Sequence, residues 1–296
     1  MLANEARAKY PRLKSTVEAE AAGVIPRSRR ENEGLSVTQF YGKTKICYGK
    51  DALEVLENLP YTRSFIVTDP FMARNGFVDQ LKSHLDRGGS QYHVYDGVEP
   101  DPSLATVIQG TRLLLENKSD MVIALGGGSA IDAAKAMAFF AGKAADNGQR
   151  PFLVAIPTTS GTGSEVTAIS VITDKVNEVK IPLGDEALIP DVAILDARFT
   201  RTLPPGVTAA TGMDVLTHAI EAYTSRQANP FTSIYAEYAI RYVFKHLVRA
   251  YTCMDDMEAR EMLLRGSCMA GMAFNKSGRG ITHSIAHSLG GLFHIP

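Results

Sequence analysis

The middle of the chain alternates between short apolar segments and longer amphipathic ones. Segments rich in branched residues, such as SFIVTDP (64–70), MVIALGGGS (121–129) and FLVAIP (152–157), have the length of buried strands. Between several of them, apolar residues recur at three- and four-residue spacing, as in SLATVIQGTRLLLENK (103–118), which is typical of helices. From about Ser36, this alternation predicts an α/β fold with a parallel sheet and crossover helices.

The pattern changes after TLPPGVTAATGMD (202–214), where strand-like segments cease. The remaining chain is almost continuously helical in its apolar spacing. We therefore predict an α/β domain over residues 36–205, followed by an all-helical domain over residues 206–296.

Residues 1–35 have a pattern of their own. Apolar side chains recur at helical spacing as far as Ala21, and the charged stretch GVIPRSRRENEG (23–34) is typical of a linker. We interpret this segment as an extension, either a frayed terminus or a helix that docks onto a protein shell or an enzyme partner. Its glutamates argue against a mitochondrial transit peptide, in which acidic residues are rare.

Composition narrows the function classes. The 296 residues carry a formal net charge of −1 and are 45% hydrophobic, which is ordinary for a globular protein and predicts neither a nucleic-acid nor a membrane surface. No apolar run approaches the roughly 18–20 residues that a bilayer requires. The three cysteines form no CxxC pair, which favours a reducing, cytoplasmic compartment over disulfides or a cysteine metal site.

Two glycine-rich elements follow predicted strands, at the edge where open α/β sheets bind their ligands. In the first, Gly126, Gly127, Gly128 and Ser129 precede a helix whose amino end favours a pyrophosphate. This is not the GxGxxG fingerprint, and a plain tight turn explains it equally well. The second element, TTSGTGSE (158–165), predicts a bound ligand because it places several hydroxyls on one loop, those of Thr158, Thr159, Ser160, Thr162 and Ser164.

Asp69 stands just past the end of an early predicted strand. A carboxylate there can accept hydrogen bonds from a ribose diol and would repel a 2′-phosphate, so it favours NAD over NADP. An N-cap for the following helix is an alternative of equal weight.

Two pairs of possible metal ligands occur in the helical part. Asp214 and His218 are four residues apart, as are His283 and His287, so each pair shares one face of a helix. One carboxylate with two or three imidazoles suits Fe(II) or Zn(II). A single pair would usually be structural, but two pairs within one helical domain favour a metal site.

Taken in order, the motifs GGGSxxDxxK, TTSGTGSE, GxDxLTHAIEAY and GxxHxxAHxLG resemble the group III, iron-dependent, alcohol dehydrogenases from about Ser36 to Pro296. SCMAGMAF and the ending HIP look like members associated with ethanolamine or propanediol utilisation. The resemblance implies a Rossmann-like dinucleotide-binding domain, a helical metal-binding domain and an active site between them. It also implies NAD-dependent hydride transfer to or from a short-chain alcohol or aldehyde, in a homo-oligomer of the cytoplasm or of a bacterial microcompartment.

The resemblance further assigns roles to individual residues. Asp214, His218 and His283 match the first three metal ligands, with iron expected and zinc as the alternative. His287 matches a histidine beside the nicotinamide that relays protons. The residues expected to line the cofactor are Asp69, Gly126, Gly127, Gly128, Ser129, Asp132, Thr158, Thr159, Thr162, Ser164 and Lys180.

The family's last metal ligand falls fourteen residues after the first histidine of this segment. Counted from His283, that position is one past Pro296, and His294 stands three positions too early. We therefore expect a shortened chain with an incomplete helical domain, weak metal binding and little turnover. The alternatives are a catalytically silent homologue kept for assembly and a polyol oxidoreductase similar to glycerol dehydrogenases.

Overall fold

The computed structural model describes residues 40–177 and 179–293, without the side chains at 287, 288 and 291–293. The predicted amino-terminal extension and His294 lie outside the described residues. The strands are β1 (Lys45–Tyr48), β2 (Arg63–Val67), β3 (Gln91–Tyr95), β4 (Met121–Gly126), β5 (Phe152–Pro157), β6 (Ile169–Asp174), β7 (Val179–Gly184) and β8 (Val192–Leu195). The α-helices are α1 (Pro70–Arg74), α2 (Phe77–Arg87), α3 (Leu104–Glu116), α4 (Gly128–Ala144), α5 (Pro205–Thr224), α6 (Pro230–Thr252), α7 (Met257–Ser277) and α8 (Ile281–Phe293). Short 3₁₀ segments span Ala52–Asn58, Ser164–Val166, Glu186–Leu188 and Ala197–Thr200.

Six strands form one parallel sheet in the order β1-β8-β5-β4-β2-β3. Alternate residues of β4 point to opposite faces, so Val122 joins the core cluster on one face while Met121 and Ile123 join the cluster on the other. Both faces are covered, which explains why the central strands are apolar throughout. The predicted α/β fold with a parallel sheet is confirmed.

Strands β6 and β7 pair with each other in an antiparallel ribbon outside this sheet. The ribbon is tied to α4 through Asp132, whose carboxylate Oδ2 accepts a hydrogen bond from the Val171 amide at 2.9 Å. The hydroxyl of Ser170 donates to the Asp132 carbonyl at 2.8 Å. These bonds hold the ribbon over the amino end of α4, the helix that follows the first glycine-rich element.

The chain after Pro205 is helical in its described part, as the apolar spacing predicts. Helix α6 begins at a capping box in which Asn229 and Thr232 satisfy each other's backbone amides. Small side chains such as Ala219, Ala239 and Ala270 form much of the core between these helices and allow close approach. None of the described helices is both long and apolar enough to cross a membrane.

Helix α7 joins the helical part to the sheet. Its residues Leu264 and Cys268 pack against Leu195 of β8 and against Val166 of the hydroxyl-rich loop. At its amino end, the Arg260 guanidinium donates to the carbonyl of Thr200 at 2.7 Å. The two parts thus pack along α7 and leave a cleft at the carboxyl edge of the sheet.

Candidate active site at the carboxyl edge of the sheet

The glycine-rich turn after β4 is shaped by close backbone approach. Gly126 has a φ of 154°, and a β-carbon added there would lie 2.6 Å from the β-carbon of Ala130. A β-carbon on Gly128 would lie 2.7 Å from Thr162 Cγ2, so this turn and the hydroxyl-rich loop are in contact. The 17-residue helix α4 starts at Gly128, and no side chain caps its amino end. Uncapped amides at such an end attract an anionic group.

The hydroxyl-rich loop follows the neighbouring strand β5. The Thr158 amide donates to the Gly126 carbonyl at 3.0 Å, which joins the two loops side by side. Gly163 has a φ of 62°, and a β-carbon there would lie 2.7 Å from the α-carbon of Gly271 on α7. The loop backbone is therefore pressed directly against that helix.

A buried lysine on α4 holds this loop in place through hydrogen bonds. Lys135 Nζ donates to the Ser164 carbonyl at 2.9 Å, the Thr167 hydroxyl at 3.1 Å and the Ile169 carbonyl at 2.6 Å. The Ser164 hydroxyl in turn donates to Asp132 Oδ1 at 2.5 Å. Burial lowers the pKa of Lys135 to about 8. The GGGSxxDxxK motif contains this lysine, but the sequence analysis assigned it no role.

Asp69 caps helix α1. Its Oδ1 accepts hydrogen bonds from the amides of Phe71 at 2.8 Å and Met72 at 3.0 Å, so the N-cap interpretation is confirmed. Its Oδ2 lies beside the glycine turn, 3.5 Å from where a β-carbon on Gly126 would be. Since the cap uses only Oδ1, the predicted contact with a ribose is compatible with it and stays a prediction.

The predicted metal ligands come together. Asp214 and His218 on α5 and His283 on α8 each offer a ligand atom, and all three atoms lie within 4.8 Å of one another. We call these three residues the triad. Asp214 Oδ1 is 3.4 Å from His283 Nε2 and 3.6 Å from His218 Nδ1. His287 follows one helical turn after His283, and its side chain lies outside the described part.

The environment of His218 fits a metal ligand. The side chain is 3% exposed, and neither ring nitrogen makes a hydrogen bond of normal geometry within the described residues. Burial lowers its pKa to about 4, so the ring is neutral at pH 7, the form that binds a metal. Its ring stacks between Phe274 and His283, with centroids 4.4 and 4.1 Å away. A bound water or ion is one explanation for buried polar atoms without a partner, and two such nitrogens on one ring beside a carboxylate favour a metal here.

Glu221 is a site residue that the sequence analysis missed. Its Oε2 lies 2.5 Å from His283 Nδ1, and its Oε1 accepts a hydrogen bond from the Thr282 amide at 2.7 Å. With Nδ1 engaged in this way, His283 presents Nε2 to Asp214, an arrangement typical of metal-binding histidines. Counting along α5 would have found it, because Glu221 is seven residues after Asp214 and shares its face.

A cavity of about 210 Å³ is lined both by the triad and by residues of the glycine-rich turn and the hydroxyl-rich loop. Most of the predicted site residues line it: Gly128, Ser129, Asp132, Thr162, Ser164, Lys180, Asp214, His218 and His283. Asp69, Gly126, Gly127, Thr158 and Thr159 are not part of this lining and flank it at the ends of the neighbouring strands. Lys180 reaches the cavity from β7, where its Nζ pairs with Asp101 Oδ1 at 2.7 Å. Arg279, which the sequence analysis did not single out, lines the cavity as well.

Two family models match the chain: iron-containing alcohol dehydrogenase over residues 43–197, and the C-terminal part of the Fe-containing alcohol dehydrogenase family over residues 208–296. The NADPH-dependent butanol dehydrogenase of Clostridium saccharobutylicum is 46% identical, over 85% of this chain and 68% of its own length. The 1-propanol dehydrogenase PduQ of Citrobacter freundii is 43% identical, over 87% of this chain and 69% of its own.

Solved structures agree with these matches. A 1,3-propanediol oxidoreductase superposes with a TM-score of 0.83 and 34% identity, over 88% of this chain and 72% of its own. The sulfoacetaldehyde reductase of Bifidobacterium kashiwanohense, solved with NAD⁺, gives a TM-score of 0.81 and 31% identity, over 88% and 73% of the two chains. Sequence, fold and motif positions thus lead to one conclusion: this chain belongs to the iron-containing alcohol dehydrogenases, a family of oxidoreductases.

Proposed function

We propose that the protein interconverts a short-chain alcohol and its aldehyde with NAD(H), and that a divalent metal held by the triad is required. The observation that carries this proposal is that one cavity is lined both by the triad and by the glycine- and hydroxyl-rich loops. In this proposal, residues 36–205 bind the dinucleotide and residues 206–296 bind the metal. Iron is the metal expected from the family, and zinc suits the same donors.

The triad has the donors for such a metal, which as a Lewis acid would make an alcohol proton easier to remove and polarise an aldehyde carbonyl. Burial keeps His218 neutral and therefore ready to donate its lone pair. Glu221 orients His283 through the 2.5 Å contact with Nδ1. The Phe274 ring, stacked on His218, helps to exclude water from the triad. His287, one turn beyond His283, is our candidate for handling the proton near neutral pH.

The loops at the sheet edge have the chemistry for the dinucleotide, whose nicotinamide accepts or donates the hydride when bound. The uncapped amino end of α4 offers amides to the pyrophosphate. The hydroxyls of Thr158, Thr159, Thr162 and Ser164, with Lys180, are proposed to contact the remaining polar groups of the cofactor. Asp69 is proposed to bind the ribose through Oδ2 and to favour NAD. Because one relative uses NADPH, both cofactors belong in the test.

The proposal is tested on protein loaded anaerobically with Fe(II) or Zn(II), by following NADH and NADPH oxidation with a panel of aldehydes. The panel includes neutral aldehydes and sulfoacetaldehyde, since the relatives' names cover both kinds of substrate. We expect metal-dependent turnover that His218→Asn abolishes. His84→Asn is the matched control, because His84 lies on α2, pairs with Glu57 of the first 3₁₀ segment and is not part of the cavity lining. Metal-loaded protein that reduces no aldehyde would instead favour the silent homologue.

A further inference from the structure

Arg279 lies at the triad end of the cavity. It is in the turn between α7 and α8, four residues before His283, and its side chain lines the cavity. Its guanidinium carbon is 5.4 Å from the centroid of the Phe274 ring, which in turn stacks on His218. The guanidinium is therefore one ring away from a triad histidine.

No described residue forms a hydrogen bond or an ion pair with this guanidinium. Three carboxylates are close enough to favour its charged form, but each already accepts hydrogen bonds from other groups. Asp132 accepts hydrogen bonds from the Ser164 hydroxyl and the Val171 amide. Asp214 Oδ1 is 3.4 Å from His283 Nε2. Glu221 contacts His283 Nδ1 and accepts from the Thr282 amide. The five N–H donors of this part-buried cation therefore have no acceptor among the described residues, and an anion bound in the cavity would supply one.

The other cation at the cavity is already paired. Lys180 Nζ is 2.7 Å from Asp101 Oδ1, so its charge is met within the protein. Of the lysine and arginine side chains among the described residues that line the cavity, Arg279 is therefore the one without a carboxylate partner. A planar guanidinium binds an acidic group through two parallel hydrogen bonds, which fixes orientation as well as charge.

We propose that Arg279 binds an acidic group of the substrate, so that the enzyme acts on short-chain aldehydes or alcohols that carry a carboxylate or a sulfonate. This inference rests on the proposed function, since it places the substrate's alcohol or aldehyde oxygen at the triad and its acidic group at Arg279. The two oxygens of a carboxylate, or two of the three oxygens of a sulfonate, can accept the two parallel hydrogen bonds of the guanidinium fork.

The cofactor's phosphates are a less suitable ligand for this arginine. The candidate pyrophosphate site is the amino end of α4, where Gly127 lies against Thr159. A 2′-phosphate would lie near Asp69, beside Gly126. Arg279 instead contacts Phe274 and lies next to the triad, where the reacting carbon of a substrate is expected.

The test compares matched pairs of aldehydes in which a methyl group replaces the acidic group: 4-oxobutanoate with butanal, and sulfoacetaldehyde with propanal. For the wild-type enzyme with bound metal, we expect kcat/KM to be higher for at least one acidic member than for its neutral partner. The pair with the larger ratio of acidic to neutral kcat/KM shows whether a carboxylate or a sulfonate is preferred. In Arg279→Leu the ratio of acidic to neutral kcat/KM should fall roughly 10- to 100-fold, the loss expected for charged hydrogen bonds. Arg279→Lys, which keeps the charge but not the fork, should lie between the two.

Arg241→Leu is the matched control, because Arg241 is an exposed arginine of α6 that pairs with Glu237. An unchanged ratio in Arg279→Leu would overturn the proposal, as would a loss confined to the KM for NADH. If no protein reduces any aldehyde, the proposed function fails, and calorimetry without nicotinamide still tests the subsite. In that case we expect 4-hydroxybutanoate or 2-hydroxyethanesulfonate to bind the wild-type protein and not Arg279→Leu. Equal binding by both proteins would refute the role of Arg279.

Discussion

Replacing Glu221 should weaken metal binding although this residue is not a proposed ligand. The side chain is 8% exposed, and each of its oxygens has a partner, His283 Nδ1 and the Thr282 amide. Glu221→Gln keeps an acceptor for the imidazole N–H but removes the negative charge behind it. Glu221→Ala removes both and leaves the Thr282 amide without an acceptor, so its effect should be larger.

The size of the effect follows from this geometry. Losing a carboxylate that orients a metal-binding histidine typically lowers metal affinity by about 10- to 100-fold. At about 1.4 kcal/mol for each factor of ten, this corresponds to roughly 1.4–2.8 kcal/mol. Because Glu221→Gln still holds the ring in place, we expect it near the lower limit, with Glu221→Ala near the upper limit.

The assay is a Zn(II) titration in competition with a chromophoric chelator, which reports metal affinity without relying on turnover. Glu237→Gln is the matched control, since Glu237 is an exposed glutamate of α6 that pairs with Arg241. Thermal unfolding of the metal-free proteins shows that each variant is folded. The reasoning would be refuted if Glu221→Gln and Glu237→Gln bound Zn(II) with the same Kd as the wild-type protein.

Three further predictions concern the loops and the triad. Asp69→Ser keeps an N-cap acceptor but removes the charge, so the ratio of kcat/KM for NADPH to that for NADH should rise. Urea unfolding should show a loss of stability well below the roughly 0.5–2 kcal/mol of a lost cap. Lys135→Met breaks the buried network below the hydroxyl-rich loop and should cost about 3–5 kcal/mol, whereas Lys82→Met on the surface of α2 should change stability by less than about 0.5 kcal/mol. Burial lowers the pKa of His218 from 6.5 to about 4 in the folded protein, so on acidification this histidine is protonated at a higher pH in the unfolded chain than in the folded one. Metal-free protein should therefore lose up to about 3 kcal/mol of stability between pH 6.5 and 4, and His218→Gln should not show this part of the loss.

The parts of the fold that were predictable are those with one strong local pattern. The runs that became β2, β4 and β5 are apolar on both faces because helices cover both sides of the sheet. The strands of the β6–β7 ribbon were not predicted, because they are only partly buried and lie outside the sheet. Lys135 was overlooked for a different reason, since a lysine is almost never fully buried and its acceptors come from residues about thirty positions away.

Spacing predicted a metal site from two pairs four residues apart, and the family resemblance then selected Asp214, His218 and His283 from the four candidates. The lack of a carboxylate partner for Arg279 could not be predicted from the sequence. It depends on which groups already form hydrogen bonds with the nearby carboxylates. That depends on the packing of α5, α7 and the ribbon, which no local pattern records. The same is true of the neutral form of His218, which results from its burial between two rings.

If the hydroxyl-rich loop binds the dinucleotide and the triad binds the metal, as we propose, the close contact between Gly163 and Gly271 provides a route by which one binding event can affect the other. No side chain separates the loop proposed to hold the cofactor from α7, whose far end leads through the turn into His283. A shift of the loop on binding dinucleotide would press on α7 and, through the turn that follows it, on His283. Since linkage is reciprocal, any factor by which NADH tightens metal binding is the factor by which the metal tightens NADH binding. With positive coupling, a shortage of the metal would then also lower the fraction of the protein that holds cofactor.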